Sequence, residues 1–78
     1  MTSTTPLSSA PLGAALTLLR ADGTPELCRR LAALGLRRGA QVVVMHDTAG
    51  GGRVVQVAGA RIALDRSMLD RLFAEVGA

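Results

Sequence analysis

The chain has 78 residues, of which 49% are hydrophobic, and a mean hydropathy of +0.34. It therefore has room for one small domain with a real core, and it is excluded from the disordered class, which combines low hydrophobicity with high charge. Aromatic residues make up only 1%, so the core must be aliphatic. A single cysteine and a single histidine exclude an internal disulfide scaffold and leave few catalytic constellations available.

All nine basic side chains are arginine, and the formal net charge at pH 7 is +3. A charge of this size favours solubility but is a weak argument for nucleic acid, so we expect no nucleic-acid partner. No stretch approaches the roughly 18 apolar residues that span a bilayer, and no basic residue precedes the apolar segment 10–19. We therefore predict no membrane insertion, no signal peptide and a cytoplasmic location.

In chain order, residues 1–6 are predicted to be a flexible, Ser/Thr-rich tail, and residues 7–78 one domain. The first predicted strand covers residues 14–20, where Leu16 and Leu18 alternate with polar Thr17. The dipeptide Asp22-Gly23 then indicates a turn.

A helix of about ten residues follows, with Thr24 as its N-cap and Pro25 as its first residue. One apolar stripe runs along it, formed by Leu27, Leu31 and Leu34.

Glycines mark the predicted ends of the elements. Gly35 stands where a helix needs a left-handed residue, and Leu36 is then expected to pack on Leu31, as in a Schellman motif. Gly39 and Gly59 are the other predicted structural glycines, each in a turn before a strand. We also predict a flexible Gly-rich hairpin loop at residues 49–52.

Three further strands are predicted in the second half, over residues 41–46, 53–58 and 61–64. The run of three valines at residues 42–44 indicates burial on both faces of the first of these. Short strands joined by Gly turns, together with one early α-helix, indicate a mainly β protein with the form of a small barrel.

The C-terminal segment allows two interpretations. The spacing of Leu69, Leu72, Phe73 and Val76 fits a helix with Asp65 as its N-cap. The alternative is one helical turn at residues 66–70 followed by a closing strand, and residues 71–77 remain open between them. Periodicity alone favours the helix.

Two segments resemble a known family. Residues 31–44, with Arg30 in front of them, resemble the RLxxLGLxxGxxVxV core of FeoA-type proteins, and residues 55–64 resemble that family's VxVxGxxxAL segment. Leu7 and Gly13 match its N-terminal segment, so the resemblance extends over nearly the whole chain.

The resemblance implies a small SH3-like β-barrel with an inserted helix, and a helical turn followed by a strand at the C-terminus. It also implies a cytosolic, non-enzymatic accessory of bacterial ferrous iron transport that contacts the membrane GTPase permease, FeoB. The same domain occurs at the C-terminus of metal-dependent repressors. The alternative function is therefore a regulatory ligand- or nucleic-acid-binding SH3-like module, although the freestanding form is expected because no helix-turn-helix precedes the domain.

Metal and catalytic candidates are few. Cys28, His46, Asp47 and Asp65 are the available ligands, and they lack the HxH, CxxC or HxxxH spacing that prepares a metal site. A nucleophilic Cys28 would need His46 as its base, and the Gly-rich loop lacks the Lys-Ser/Thr ending of a phosphate-binding loop. We therefore predict no cofactor, no metal site and no enzymatic activity.

One cluster of charge stands out, around the predicted end of the helix: Arg29, Arg30, Arg37 and Arg38. A solvated polar face that interacts with the helix dipole is the simpler interpretation. The functional hypothesis is a binding surface for an acidic partner protein.

Overall fold

The computed structural model describes residues 4–77, which form six short antiparallel strands, two α-helices and one 3-10 turn at Ala49–Gly51. Their bounds are β1 Thr4–Pro6, β2 Leu16–Ala21, α1 Pro25–Ala33, β3 Gln41–Asp47, β4 Arg53–Val57, β5 Ala60–Leu64, α2 Arg66–Leu69 and β6 Leu72–Val76. The strands form one sheet in the order β1-β6-β2-β3-β4-β5. The prediction of a mainly β fold with one early helix is confirmed, although β1 and β5 are the two edges of an open, six-stranded sheet.

The first strand lies inside the segment predicted to be a flexible tail, so that boundary is wrong for residues 4–6. Thr4–Pro6 pairs with β6, and the Leu7 amide donates to the Leu72 carbonyl at 2.9 Å. Since Leu7 bonds towards β6, the nitrogen of Pro6 faces the open side, where its missing N–H costs nothing. Residues 1–3 of the predicted tail lie outside the described residues.

The start and end of α1 are as predicted. The Thr24 hydroxyl accepts a hydrogen bond from the Leu27 amide at 3.1 Å, and Pro25 is the first helical residue. At the other end, Gly35 has a φ of +95°, and the Leu36 amide donates to the Leu31 carbonyl at 2.9 Å. The left-handed Gly35 and the bond from Leu36 to Leu31 are those of a Schellman motif.

The predicted apolar stripe of α1 ends one residue early. Leu31 is buried, but Leu34 is the C-cap residue and is 50% exposed. Leu36, just after the motif, is buried in its place. The chain reverses after Leu34, at Gly35, and the bond from the Leu36 amide back to the Leu31 carbonyl brings Leu36 to the core.

The core is aliphatic, as the composition requires, and its side chains come from the inward faces of the strands, from α1 and from the turns. Its members are Leu7, Ala10, Leu16, Leu18, Leu31, Leu36, Val42, Val44, Val55, Val57, Leu69, Leu72 and Ala74. Val43 is only half-buried, so the prediction of burial on both faces of β3 holds in part. Pairing with β4 shifts register between Val44 and His46, which leaves Met45 in a bulge.

The β4–β5 hairpin turns on Ala58 and Gly59, whose φ values are +51° and +78°. Two consecutive positive φ values between paired strands are typical of a type I′ turn. The sequence alone predicts a tight turn at Gly59 and Ala60, whereas the two turn residues of the structure are Ala58 and Gly59.

At the C-terminus the strand alternative is correct and the longer helix is wrong. Asp65 caps α2 by accepting from the Met68 amide at 2.8 Å, and β6 then pairs with both β1 and β2. Leu72 and Ala74 alternate into the core along β6, so a period of two competes with the helical spacing in this segment.

Candidate partner-binding surface

The predicted arginine cluster occupies two neighbouring elements of the structure. Arg29 and Arg30 lie on α1, and Arg37 and Arg38 lie in the connection between α1 and β3. All four side chains belong to exposed residues. We refer to these four residues as the arginine surface.

None of these four guanidinium groups forms an ion pair within residues 4–77. The ion pairs found there join Arg20 with Asp22, Arg53 with Asp47, and Arg66 with Asp70. The arginine surface thus carries uncompensated positive charge. Guanidinium groups bind carboxylates and phosphates through paired hydrogen bonds, so this surface can bind anionic groups.

Arg37 and Arg38 line a groove of about 410 Å³ between the α1–β3 connection and the β4–β5 hairpin. Val57 and Ala58 form its opposite side. A Cβ on Gly35 would lie 3.1 Å from the Cβ of Ala58, so the absence of a side chain at Gly35 lets the two walls approach.

The same two arginines also line a second, more apolar groove of about 340 Å³, between β2 and α1. Arg20 is part of this groove, and it was not among the predicted site residues. It contacts Asp22 at 3.2 Å and lies over the Phe73 ring, 4.3 Å from the ring centroid. No sequence signal singled it out, because Phe73 and Arg38, which lie near it in the fold, come from other parts of the chain.

The helical part of the arginine surface is separate from these grooves. Consecutive helical residues are about 100° apart around the axis, so Arg29 and Arg30 point in different directions. Neither residue lines either groove, whereas Cys28 and Ala32 line the second one. Arg37 and Arg38 therefore form the compact half of the arginine surface.

The candidate metal ligands have separate roles. Asp47 pairs with Arg53 at 2.8 Å, and Asp65 caps α2. The Cys28 thiol lies 3.5 Å from the Ala21 carbonyl oxygen, and the Nδ1 of exposed His46 lies 3.3 Å from the Asp47 carbonyl oxygen. Across residues 4–77, no three histidine, cysteine or carboxylate side chains are grouped closely enough to hold a metal ion.

The helices of the described segment are also too short and too polar to cross a membrane.

The single six-stranded antiparallel sheet, with α1 inserted between β2 and β3, fits the class of small SH3-like domains. A family model described as the FeoA domain matches residues 5–76. The chain belongs to the FeoA family. A comparison with curated protein sequences finds no match.

Solved structures agree with this assignment. The crystal structure of an iron uptake regulatory protein, FeoA, has a TM-score of 0.86 and 23% identity, and the match covers 96% of this chain and 100% of that one. FeoA of Stenotrophomonas maltophilia, crystallised with zinc and described as a prokaryotic SH3 domain protein, has a TM-score of 0.69 and 30% identity, with 92% and 86% covered. A manganese-dependent transcriptional repressor has a TM-score of 0.84 at 18% identity, and the match covers 99% of this chain but only 44% of the repressor.

Proposed function

We propose that this protein is a cytoplasmic, non-enzymatic accessory of bacterial ferrous iron uptake, and that it acts by contact with a FeoB-type GTPase permease. Membership of the FeoA family supports the assignment to iron transport. The observation that carries the contact hypothesis is that Arg37 and Arg38 are exposed, form no ion pair within the described residues, and line two grooves. Such a surface favours an acidic region of the partner.

The non-enzymatic part of the proposal rests on where the reactive side chains lie. Cys28 is on α1 next to the Ala21 carbonyl, and His46 is an exposed residue on β3. A nucleophile needs a base within hydrogen-bond distance and a third group that orients the base. Within residues 4–77, the polar contact of the Cys28 thiol is to the Ala21 carbonyl and that of the His46 ring is to the Asp47 carbonyl, so the two side chains do not form a nucleophile–base pair.

The experiment is a binding measurement between the protein and the permease, or its cytosolic domain, with matched double variants. Arg37→Glu with Arg38→Glu changes the net charge from +3 to −1, because each reversal changes it by two. Arg66→Glu with Arg71→Glu makes the same change of net charge on α2 and the segment after it. We expect the first pair to weaken binding by at least about tenfold and the second by less than about threefold. Equal binding by the two double variants, or no binding by the unmodified protein, would contradict the proposal.

The alternative function is regulatory, as a module related to metal-dependent repressors. Its support is the fold similarity to the manganese-dependent repressor. The region of the repressor that matches this protein makes up less than half of the repressor chain. Co-purification with a DNA-binding protein, together with no association with the permease, would favour this alternative.

A further inference from the structure

The two edges of the sheet differ in how well they are protected against pairing with another strand. β1 is three residues long and contains Pro6. β5 has five residues, no proline, an unbroken register with β4, and one charged residue, Arg61. Exposed edges in natural proteins are blocked by shortness, proline, bulges or charge. β1 has both shortness and proline, whereas β5 has a single charge.

The backbone N–H and C=O groups of β5 that have no partner in β4 belong to Arg61 and Ala63. Val57 and Ala60 flank the two-residue turn and so form a hydrogen-bonded pair, and such pairs alternate along an antiparallel ladder. The N–H and C=O groups of Arg61 and Ala63 therefore point away from β4. Both residues are exposed, and the backbone hydrogen bonds found outside the regular strands and helices of residues 4–77 involve neither of them.

We propose that β5 pairs antiparallel with β5 of a second copy of this chain, so that two sheets join across a two-fold axis at Ile62. In this register Arg61 lies opposite Ala63 of the second copy, and each of these pairs exchanges two backbone hydrogen bonds. All the open groups of Arg61 and Ala63 are then satisfied at once.

The side chains fit this register. Ile62 packs against the core from its half-buried position, and here it meets Ile62 of the second copy in a non-hydrogen-bonded pair, where side chains approach most closely. The apolar core of one copy thus continues into the other. Arg61 faces alanine rather than arginine, so like charges are not directly opposed.

Self-pairing is favoured over a foreign strand because one register satisfies both the backbone and the side chains with no other sequence needed. A five-residue strand pair buries much less than the roughly 800 Å² per partner of a standard interface, so we expect a dissociation constant of about 0.1–1 mM. The two Arg61 groups remain diagonal neighbours, and salt screens their repulsion. Association should therefore strengthen as salt is added.

The dimer is independent of the proposed function. Arg37 and Arg38 lie beside Val57 and Ala58, at the turn end of β5. Antiparallel pairing places the two turns, and hence the two arginine surfaces, at opposite ends of the joined sheet. Both surfaces stay free for a partner, so a failed permease experiment does not decide the dimer.

The test combines sedimentation with backbone amide hydrogen exchange on the full chain, from about 20 μM to about 2 mM. We expect a monomer–dimer equilibrium, and slower exchange of the Arg61 and Ala63 amides as the concentration rises. The Ile62 amide is the internal control, because it bonds to β4 in the monomer and should exchange slowly throughout. A monomer at all concentrations, with fast exchange at Arg61 and Ala63, would overturn the proposal.

Ala63→Pro is the sharpest variant, because it removes an N–H that the monomer does not use. The change deletes half of the intermolecular hydrogen bonds and adds a ring at the contact, so dimerisation should weaken by at least about tenfold. Ala63→Val keeps the N–H and should dimerise as the unmodified chain does. A dimer that Ala63→Pro leaves intact would show that another surface holds the copies together. If Ala63→Pro fails to fold, the concentration dependence of exchange in the unmodified chain still decides.

Discussion

The Arg53 guanidinium joins two parts of the chain that are 46 residues apart, by donating from Nη1 to the Leu7 carbonyl oxygen at 2.9 Å. The same nitrogen donates to the Ala10 carbonyl oxygen at 2.6 Å, and Nε donates to the Asp47 carboxylate at 2.8 Å. The Arg53 side chain is 15% exposed, whereas that of Asp47 is 62% exposed. One largely buried side chain thus holds the turn between β1 and β2 against the start of β4.

Arg53→Ala should lower the free energy of unfolding by about 2–4 kcal/mol, because the Ala10 carbonyl loses its side-chain donor and the Leu7 carbonyl keeps only the 3.4 Å bond from the Ala10 amide. Urea denaturation measures this change. Arg71→Ala is the matched control, since Arg71 is exposed and forms no ion pair in the described residues; its effect should stay within about 0.5 kcal/mol. If the two variants were equally stable, the stabilising role of the Arg53 hydrogen bonds would be refuted.

Gly35 and Gly39 provide a second matched pair. Both have positive φ, +95° and +87°, but a Cβ on Gly35 would meet Ala58 at 3.1 Å, while one on Gly39 meets nothing within 4 Å. Gly39→Ala should cost about 1–2 kcal/mol from backbone strain alone, and Gly35→Ala should cost more because the hairpin must also move. Thermal unfolding of both variants tests the difference. A Gly39 variant less stable than the Gly35 variant would contradict this packing.

Local signals in the sequence were enough to predict α1. Thr24 and Gly35 act through hydrogen bonds to residues at most five positions away, so sequence alone carries them. The hydrogen bond from Arg53 to the Leu7 carbonyl joins residues that are 46 positions apart, and no pattern in the sequence around Arg53 predicts this bond. The same limit applies to β1, whose three residues form a strand only because β6 lies beside them.

At position 52, packing against the rest of the fold requires glycine, although the local sequence pattern does not. Residues 49–52 were expected to form a flexible loop, but Gly52 is buried. Its φ is −76°, which any residue can adopt. A Cβ there would instead lie 2.9 Å from the Leu64 carbonyl oxygen and 2.6 Å from the Thr48 hydroxyl. Glycine is therefore required because there is no room for a Cβ, and the sequence of the hairpin does not show this.

The grooves beside the arginine surface were not predicted, for the same reason. The positions of Arg37 and Arg38 follow from the helix end at Gly35, which local signals predict. The grooves beside them depend on where Val57 and Leu19 come to lie in the folded chain, and Arg20 enters through one of these grooves.

Ferrous iron titrated into the protein should bind more weakly than about 100 μM, because His46, Asp47 and Cys28 belong to separate local interactions. Calorimetry under anaerobic conditions gives the affinity, and His46→Ala should leave the titration unchanged. A stoichiometric complex of micromolar affinity that disappears in His46→Ala would refute this prediction.

Partner binding should depend on salt if the proposed contact with the permease is made by the arginine surface. If the arginine surface steers the protein onto an acidic region of the permease, the association rate of the unmodified chain should fall steeply as ionic strength rises. Reversal of all four residues of the arginine surface, Arg29, Arg30, Arg37 and Arg38, changes the net charge from +3 to −5, because each reversal changes it by two.

Since these side chains are exposed and outside the core, the fourfold variant should still fold, with a loss of about 1–2 kcal/mol from self-repulsion and the lost dipole interaction. Its association should be about 10–100-fold slower at low salt and should no longer slow down as salt is added. Surface plasmon resonance over a salt series measures both rates, with circular dichroism to establish that the variant is folded. Cellular iron uptake should fall in parallel while the variant remains present at normal levels. A folded variant that binds at the rate of the unmodified chain, with the same salt dependence, would assign the arginine surface to solvent contact alone.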